Sequence, residues 1–194
     1  MRELFFVTGN DNKVKELNIL SHGIFDVKKI TEIMEEREII EDGRSFEENS
    51  LKKIMAYKDT EKFLIADDSG LEIDALGGEP GVQSARFLGG ASYGEKMEYI
   101  IKKIEGTDNR SARFVCSAFF YDPEKNLFIC KTGVVEGKIS FEIRGTEGFG
   151  YDPFFIPEGY EKTFGELGKE VKNSISHRAR AFKELFSTIQ KILI

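Results

Sequence analysis

The sequence predicts a soluble globular protein that combines β-strands and α-helices in a single domain, residues 1–194. Short apolar runs bounded by turn residues predict strands, for example over residues 4–7 and 113–121. Apolar residues at helical spacing predict helices, the longest of them over residues 179–192. With 194 residues, 40% of them hydrophobic and 32% charged, the chain is long enough to bury a sizeable core.

Composition narrows the classes of function. The formal net charge is −6, from 28 basic and 34 acidic residues, which argues against broad nonspecific binding of nucleic acid. Two cysteines, Cys116 and Cys130, are too few for a disulfide framework, and two histidines argue against a His-rich zinc site. The N-terminus has no basic leader, and its apolar run is too short for a signal peptide or a membrane span. We therefore expect a cytoplasmic protein with reduced thiols that binds neither nucleic acid nor membranes.

The first predicted strand leads into a candidate phosphate site. Residues 4–7 are followed by the turn Thr8-Gly9-Asn10, and then by a helix with Val14, Leu17 and Leu20 at helical spacing. The free N–H groups and the dipole of a helix N-terminus favour a phosphate ligand at such a turn. A phosphate would also explain Lys13 in the first turns, although a plain solvated lysine is the alternative.

A second helix is predicted after an acid-rich segment. Residues 25–30 are a weak strand candidate, and residues 32–41 are acid-rich and largely solvated. Ser45 and Glu48 have the spacing of a capping box that opens a helix. Glu41, just ahead of that helix, could ligate a metal, but the pattern does not distinguish it from the neighbouring acids.

Two adjacent carboxylates mark the centre of the chain. Residues 63–66 predict a strand, Asp67 and Asp68 a sharp acidic turn, and residues 71–75 a second strand. Two like charges at a strand end cost stability unless a cation or a proton offsets them. A divalent metal at this pair is one interpretation, and an ordinary solvated Asp-Ser-Gly turn is the other.

Glycine-dense loops over residues 76–92 and 144–157 predict functional segments. Between them, Ser92 and Glu95 form a capping box that begins a helix. The strands predicted over residues 113–121 and 127–135 are expected to pair antiparallel around a hairpin turn.

The second glycine-dense loop and the last helix carry further candidates. Phe149 lies between glycines, which suits an exposed aromatic that stacks on a planar base; an aromatic that closes a core edge is the alternative. His177 and Arg178 lie in the predicted first turn of the last helix, where positive charge is unfavourable without an anion or acceptor nearby.

Six short motifs follow one another over nearly the whole chain. They are Thr8-Gly9-Asn10 with Lys13, Phe46-Glu47-Glu48-Asn49 with Lys53, Ala66-Asp67-Asp68-Ser69-Gly70-Leu71, Pro80-Gly81 with Ser84-Ala85-Arg86, Phe149-Gly150-Tyr151-Asp152-Pro153, and Ser176-His177-Arg178. In this order they resemble the Ham1/RdgB family, the inosine triphosphate pyrophosphatases that remove non-canonical purine nucleoside triphosphates. Asn12, where many members have glycine, and Asn173-Ser174, where a small pair is common, are minor departures.

The resemblance implies a fold and an activity. The fold is α/β and Ham1/Maf-like: a long, bent mixed β-sheet flanked by helices, with two lobes, a central active-site cleft and usually a homodimer. The activity is Mg²⁺-dependent hydrolysis of nucleoside triphosphates such as ITP, dITP and XTP, with one or more ions, to the monophosphate and pyrophosphate. Such an enzyme cleanses the nucleotide pool.

The resemblance also implies roles for individual residues. Asp68 is expected to be the proton acceptor and, with Glu41, to hold the metal. Asp67 receives no firm role: it could ligate metal, orient Asp68 or support the turn. The expected substrate-binding residues are Thr8, Gly9, Asn10, Asp11, Asn12, Lys13, Lys53, Ser69, Phe149, Gly150, Tyr151, Asp152, Lys172, His177 and Arg178. Among them, residues 8–13 would hold the triphosphate with Lys53 near it, and Phe149 would stack on the base.

Elementary chemistry agrees with these roles. An activated water would attack the α-phosphorus, so no covalent nucleophile is needed. Donors such as Arg178 would favour the 6-oxo group of hypoxanthine and xanthine over the 6-amino group of adenine. Two alternatives remain open: a Maf-like pyrophosphatase that acts on other nucleotides, and a nucleotide-binding regulator without catalysis.

Overall fold

A mixed β-sheet forms the frame of the protein, whose computed structural model describes residues 2–193. The strands are β1 (Arg2–Phe6), β2 (Phe25–Lys29), β3 (Leu64–Ile73), β4 (Ser111–Asp122), β5 (Leu127–Ile139) and β6 (Phe155–Pro157). Their order in the sheet is β2-β1-β3-β4-β5-β6. β1 pairs parallel with β2 and β3, whereas β5 pairs antiparallel with β6. The predicted α/β class with a mixed sheet and flanking helices is therefore confirmed.

The described residues form five α-helices, and the capping signals predicted where two of them begin. They are α1 (Asp11–Leu20), α2 (Phe46–Tyr57), α3 (Tyr93–Lys103), α4 (Phe164–Ile175) and α5 (His177–Leu193). Asn10 caps α1, and Ser45 caps α2 by accepting the N–H of Glu48. Ser92 and Glu95 form the predicted capping box of α3. No helix within the described residues is both long and apolar enough to cross a membrane.

The chain divides into two compact units. Unit 1 comprises Met1–Asp68, Cys116–Gly133 and Arg178–Ile194. Two apolar clusters form its core, one containing Phe6 and Phe182 and the other containing Phe5 and Tyr57. Phe5 and Phe6 are neighbours on β1 and enter different clusters, because successive side chains of a strand point to opposite faces of the sheet.

Unit 2 comprises Ser69–Val115 and Val134–His177. Its core is one cluster in which Ile100 of α3 and Phe164 of α4 are buried together with Phe114 of β4. The Phe114 ring lies 4.6 Å from that of Phe155, centroid to centroid, so the unit is centred on aromatic side chains.

Two elements differ from the prediction. The acidic turn predicted at Asp67 and Asp68 is wrong, because β3 runs without interruption from Leu64 to Ile73. Buried cations and an amide from other elements compensate the two carboxylates, so the chain does not need to turn them into solvent. Helix α4 was not predicted, although Thr163 and Glu166, which form its capping box, have the spacing that signals a helix start.

Candidate active site

Strand β3 places the two adjacent carboxylates on opposite faces of the sheet. Leu64 and Ala66 belong to the cluster that packs on α2, whereas Ile65 belongs to the cluster that packs on α1 and α5. Continuing the alternation, Asp67 extends the Ile65 face and Asp68 extends the Ala66 face. The side chains that contact each carboxylate follow this division.

Asp67 lies among cations on the face of α1 and α5. Its Oδ1 accepts a hydrogen bond from Lys13 Nζ at 2.8 Å, and its Oδ2 accepts one from Arg178 Nε at 3.1 Å. Cys116 Sγ lies 3.7 Å from the same Oδ2. Asp67 and Arg178 are only 1% and 2% exposed, so these charges interact away from water and depend on one another.

The cations outweigh burial in the titration of Asp67. Burial alone would raise the pKa of this carboxyl, but Lys13, then Arg178 and Lys53, hold the pKa well below its usual range. Arg178 also donates from Nη1 to Glu16 Oε2 at 2.9 Å. Asp67 is therefore an anion at any pH at which the protein would work.

Asp68 has different surroundings on the face of α2. Its Oδ2 accepts a hydrogen bond from Asn49 Nδ2 at 2.9 Å, and Lys53 Nζ lies 3.8 Å from its Oδ1. Burial raises the pKa of Asp68 above its usual value; Lys53 and Asn49 oppose the rise, and the carboxylates of Glu41 and Asp67 add to it. A carboxyl with a raised pKa is suited to accepting a proton.

Asn49 is oriented by a close backbone contact. Its Oδ1 accepts the N–H of Gly43 at 2.8 Å, which leaves Nδ2 directed at Asp68. A Cβ on Gly43 would lie 2.6 Å from that same Oδ1, so only glycine permits the approach. The amide therefore holds the Asp68 carboxylate in one orientation.

The residues around Asp68 fit a hard divalent cation. Lys53 Nζ lies 2.9 Å from Glu41 Oε2 and 3.8 Å from Asp68 Oδ1, so a carboxylate from the segment before α2 and one from β3 converge on one positive charge. Within residues 2–193, no cluster of three or more His, Cys, Asp or Glu side chains forms a ready-made metal cage. Mg²⁺ is commonly bound by one or two carboxylates together with water and substrate phosphate, so the pair is sufficient for it.

The turn before α1 is held by local hydrogen bonds. Thr8 Oγ1 accepts the N–H of Asn10 at 3.1 Å, and Asn10 Oδ1 accepts the N–H of Asn12 at 2.9 Å. Asp11 is exposed and pairs with Lys29 at 2.8 Å. A cavity of about 580 Å³, lined by Gly9 and by residues between 29 and 36, adjoins this turn. Gly9, two residues before the start of α1, therefore borders an open cavity.

Unit 2 contains its own buried carboxylate, Asp152. Its Oδ2 accepts hydrogen bonds from Lys172 Nζ at 2.6 Å and from the N–H of Phe149 at 2.7 Å. Lys172 Nζ lies 4.0 Å from the centre of the Phe149 ring, a cation–π contact. Gly148 has φ +79°, and a Cβ there would lie 2.1 Å from Asp152 Oδ2. These contacts fix the orientation of the half-buried Phe149 ring.

The remaining candidates of unit 2 lie on the same loop, on β3 or at the start of α5. Tyr151 is buried and donates its hydroxyl to the carbonyl oxygen of Ser84 at 3.0 Å. Gly150 lies beside the ring of Tyr93. His177 stacks on Phe114 with ring centres 4.8 Å apart, and Ser69 is half-buried on β3.

The predicted site residues thus fall into two groups. Unit 1 brings Lys13, Lys53 and Arg178 together with Glu41 and Asp68, and Asp67 lies at the centre of the three cations. Unit 2 brings Phe149, Asp152 and Lys172 together. Asn49 and Glu16 have contacts in unit 1 to which the sequence assigned no role. Asn49 had a signal, its place in the Phe-Glu-Glu-Asn motif; Glu16 had only its helical spacing from Lys13.

Chemically the groups differ. The first concentrates cations, carboxylates and a helix N-terminus, which suits a polyanion with a divalent cation. The second presents an aromatic ring beside a balanced ion pair, which suits a planar uncharged group.

Comparisons with known proteins cover almost the whole chain. Residues 4–188 match the model of the Ham1 family. The chain is 43% identical over 189 residues to a dITP/XTP pyrophosphatase of Dictyoglomus thermophilum, covering 95% of this chain and 92% of that protein. It is also 43% identical over 195 residues to a dITP/XTP pyrophosphatase of Bacillus subtilis, covering 98% of both chains.

Solved structures give the same picture. The Ham1 protein of Staphylococcus aureus superposes with a TM-score of 0.89 at 35% identity, over 98% of this chain and 100% of that chain. A HAM1 protein from Coxiella burnetii superposes with a TM-score of 0.90 at 34% identity, with the same coverage.

Proposed function

Because the chain belongs to the Ham1 family, we propose that it is a nucleoside-triphosphate pyrophosphatase that converts dITP, ITP and XTP into the monophosphate and pyrophosphate. The names of its relatives support the substrate class. The observation that carries the proposal is the Asp68 carboxylate, held by Asn49 and flanked by Lys53 and Glu41. We further propose that residues 1–194 act as one pyrophosphatase domain, which removes non-canonical purine nucleotides from the pool.

The phosphate chain would be bound by unit 1. The N–H groups of residues 8–13 at the start of α1 and the ammonium groups of Lys13 and Lys53 provide donors for its oxygens. Lys13 comes from α1 and Lys53 from α2. Since a triphosphate carries several negative charges, binding it requires more than one such cation.

Asp68 would accept a proton from the attacking water. Its carboxylate lies beside Lys53, and Asn49 keeps one of its oxygens oriented. Glu41 and Asp68 would hold Mg²⁺. When bound, that ion would lower the pKa of water and offset the charge that develops on the phosphates. Attack at the α-phosphorus would release pyrophosphate, whose charge Lys13 would stabilise.

The base would be recognised by stacking on Phe149 and by hydrogen-bond donors. Any planar base can stack on Phe149. The preference for a 6-oxo purine would therefore come from hydrogen-bond donors, with Arg178 as the principal one. We also assign Ser69, Gly150, Tyr151, Asp152, Lys172 and His177 to the nucleotide site. Their support is the resemblance of these motifs, together with the contacts of Asp152 and Lys172 to Phe149.

A substrate panel with identification of the products tests this proposal. Purified protein with Mg²⁺ is given dITP, ITP, XTP, GTP, ATP and dUTP. We expect fast release of pyrophosphate from the first three and slow release from ATP and dUTP. Preference for dUTP or modified pyrimidine nucleotides would favour a Maf-like enzyme, and binding of ITP without release of pyrophosphate would favour a regulator. Chelation of the metal should abolish turnover, and added Mg²⁺ should restore it.

We propose that the enzyme works in the cytoplasm as a homodimer. The unpaired thiols of Cys116 and Cys130 support a reducing compartment, and the family resemblance supports the dimer. Light scattering on the purified protein would measure its mass; a monomer at working concentration would contradict the dimer.

A further inference from the structure

We propose that Asp67 is a positioning residue that couples Lys13 to Arg178, so that one buried carboxylate governs both the affinity for the triphosphate and the preference for a 6-oxo base. The assignment rests on the proposed function, in which Lys13 binds phosphate and Arg178 reads the base. It gives Asp67 a role distinct from that of its neighbour Asp68.

The geometry assigns the two oxygens of Asp67 to different partners. Oδ1 accepts from Lys13 Nζ at 2.8 Å, and Oδ2 accepts from Arg178 Nε at 3.1 Å. Lys13 lies on α1 and Arg178 in the first turn of α5, so the carboxylate on β3 joins three elements. The backbone carbonyl of Asp67 also accepts from Lys53 Nζ at 3.0 Å. Three candidate substrate-binding cations therefore contact this one residue.

Burial makes the coupling strong. The side chains of Asp67 and Arg178 are 0% and 2% exposed, and that of Lys13 is 15% exposed. Without the negative charge, the Lys13 ammonium and the Arg178 guanidinium would repel each other at close range and little water would screen them. The more exposed partner, Lys13, would turn outward, and Arg178 would lose the hydrogen bond that fixes its Nε.

The contacts of Asp67 differ from those of a metal ligand. Its oxygens face a lysine, an arginine and a thiol on the α1 and α5 side of the sheet, whereas Glu41 and Asp68 converge on Lys53 beside α2. Because both of its oxygens accept hydrogen bonds from cationic side chains, its contribution is to orient Lys13 and Arg178 and not to transfer a proton.

Asp67→Asn tests the coupling, because the substitution removes the charge and keeps the shape of the side chain. Two readouts are measured: binding of inorganic tripolyphosphate by calorimetry, and the ratio of kcat/KM for ITP to that for ATP. We expect Asp67→Asn to lower both by about tenfold, since it removes the shared partner of two buried cations. Lys13→Ala should lower mainly the first readout and Arg178→Ala mainly the second.

Two further variants separate positioning from a structural effect. In the Lys13→Ala background, Asp67→Asn should weaken tripolyphosphate binding by no more than about twofold, because the residue through which it acts is already gone. Asp122→Asn is the matched control. Asp122 is a fully buried carboxylate of unit 1 that accepts the N–H groups of Glu124 and Lys125. Its substitution should lower the melting temperature and leave both readouts unchanged.

The outcomes separate the inference from the proposed function. The coupling role is wrong if Asp67→Asn changes neither readout, or if it lowers turnover of ITP and ATP equally while tripolyphosphate binding is unchanged. It is also wrong if the loss of tripolyphosphate binding caused by Asp67→Asn is as large in the Lys13→Ala background as in the wild type. If the wild type does not hydrolyse ITP, the proposed function fails, and the calorimetric cycle still decides whether Asp67 acts through Lys13. If Asp67→Asn does not fold, a double-mutant cycle of Lys13→Ala and Arg178→Ala replaces it. Effects on the two readouts that depart from additivity by more than about twofold support the coupling of Lys13 to Arg178, and additive effects contradict it.

Discussion

The two faces of β3 give adjacent carboxylates opposite surroundings. On one face, Asp67 is fully buried and bonded to Lys13 and Arg178, and its pKa lies well below the usual range. On the other face, Asp68 contacts the neutral amide of Asn49 more closely than the ammonium of Lys53, and burial raises its pKa. The residues are chemically identical and adjacent in sequence, so the difference arises entirely from the elements that pack on each face.

This difference separates an anion that holds two cations from a carboxyl that is suited to accept a proton. A carboxylate with two cationic partners is a weak base, because protonation would leave both cations without their counter-charge. A carboxyl that accepts a hydrogen bond from one amide and lies near other carboxylates retains its basicity, and it can bind a metal ion or contact a water molecule. Two adjacent aspartates can have these two environments because successive side chains of a strand point to opposite faces of the sheet.

The largest effect is expected for Asp68→Asn. The substitution removes the proposed proton acceptor and metal ligand and keeps the side chain's shape, so turnover of ITP should fall by about a thousandfold or more. Steady-state assays measure the loss, and circular dichroism should show an unchanged fold. Near-normal turnover would mean that the reactive carboxylate lies elsewhere.

A smaller effect is expected for Lys13→Ala, on the Asp67 face. Removing one charged donor should weaken binding of the triphosphate by roughly tenfold to a hundredfold, and binding of the monophosphate by much less. Calorimetry with a non-hydrolysable ITP analogue and with IMP compares the two. Equal losses of affinity for both ligands would show that Lys13 does not bind the terminal phosphates.

Arg178→Ala should change selectivity more than overall rate. Loss of the guanidinium should lower the ratio of kcat/KM for ITP to that for ATP by about tenfold, because a 6-oxo group then has no better partner than a 6-amino group. Competition assays with both nucleotides measure the ratio. An unchanged ratio would show that the base is read by other donors.

The smallest effect is expected for Asn49→Ala, on the Asp68 face. The Asp68 carboxylate would keep its position on β3 and lose one oriented hydrogen bond, so kcat should fall several-fold. Asn49→Asp provides the contrast: a third carboxylate beside Asp68 should reduce activity further by repulsion unless extra Mg²⁺ compensates. If both variants retain wild-type kcat, the amide does not orient the reactive carboxylate.

The sequence predicted the structural features that depend on residues close to one another along the chain. The capping residues Ser45 and Ser92 predicted the starts of two helices correctly, since a cap acts on N–H groups two or three residues away. The six family motifs predicted which residues would be candidates, and the structure brings most of the charged ones together in unit 1.

The sequence did not predict the continuity of β3. The residues that neutralise Asp67, Lys13 and Arg178, are 54 and 111 positions away in the sequence. Because the local pattern does not contain them, Asp-Asp-Ser-Gly by itself predicts a turn. The separate roles of the two acids follow from the same long-range contacts. Neither could be derived before the strand was known to be continuous.

Hydrolysis of dITP in heavy-oxygen water tests the central claim most directly. Mass spectrometry of the products shows which phosphorus the water attacked. Attack at the α-phosphorus predicts one labelled oxygen in dIMP and none in pyrophosphate, with Asp68→Asn producing neither product. Label in the pyrophosphate, or release of orthophosphate and dIDP, would contradict the assignment of this site as a pyrophosphatase centre.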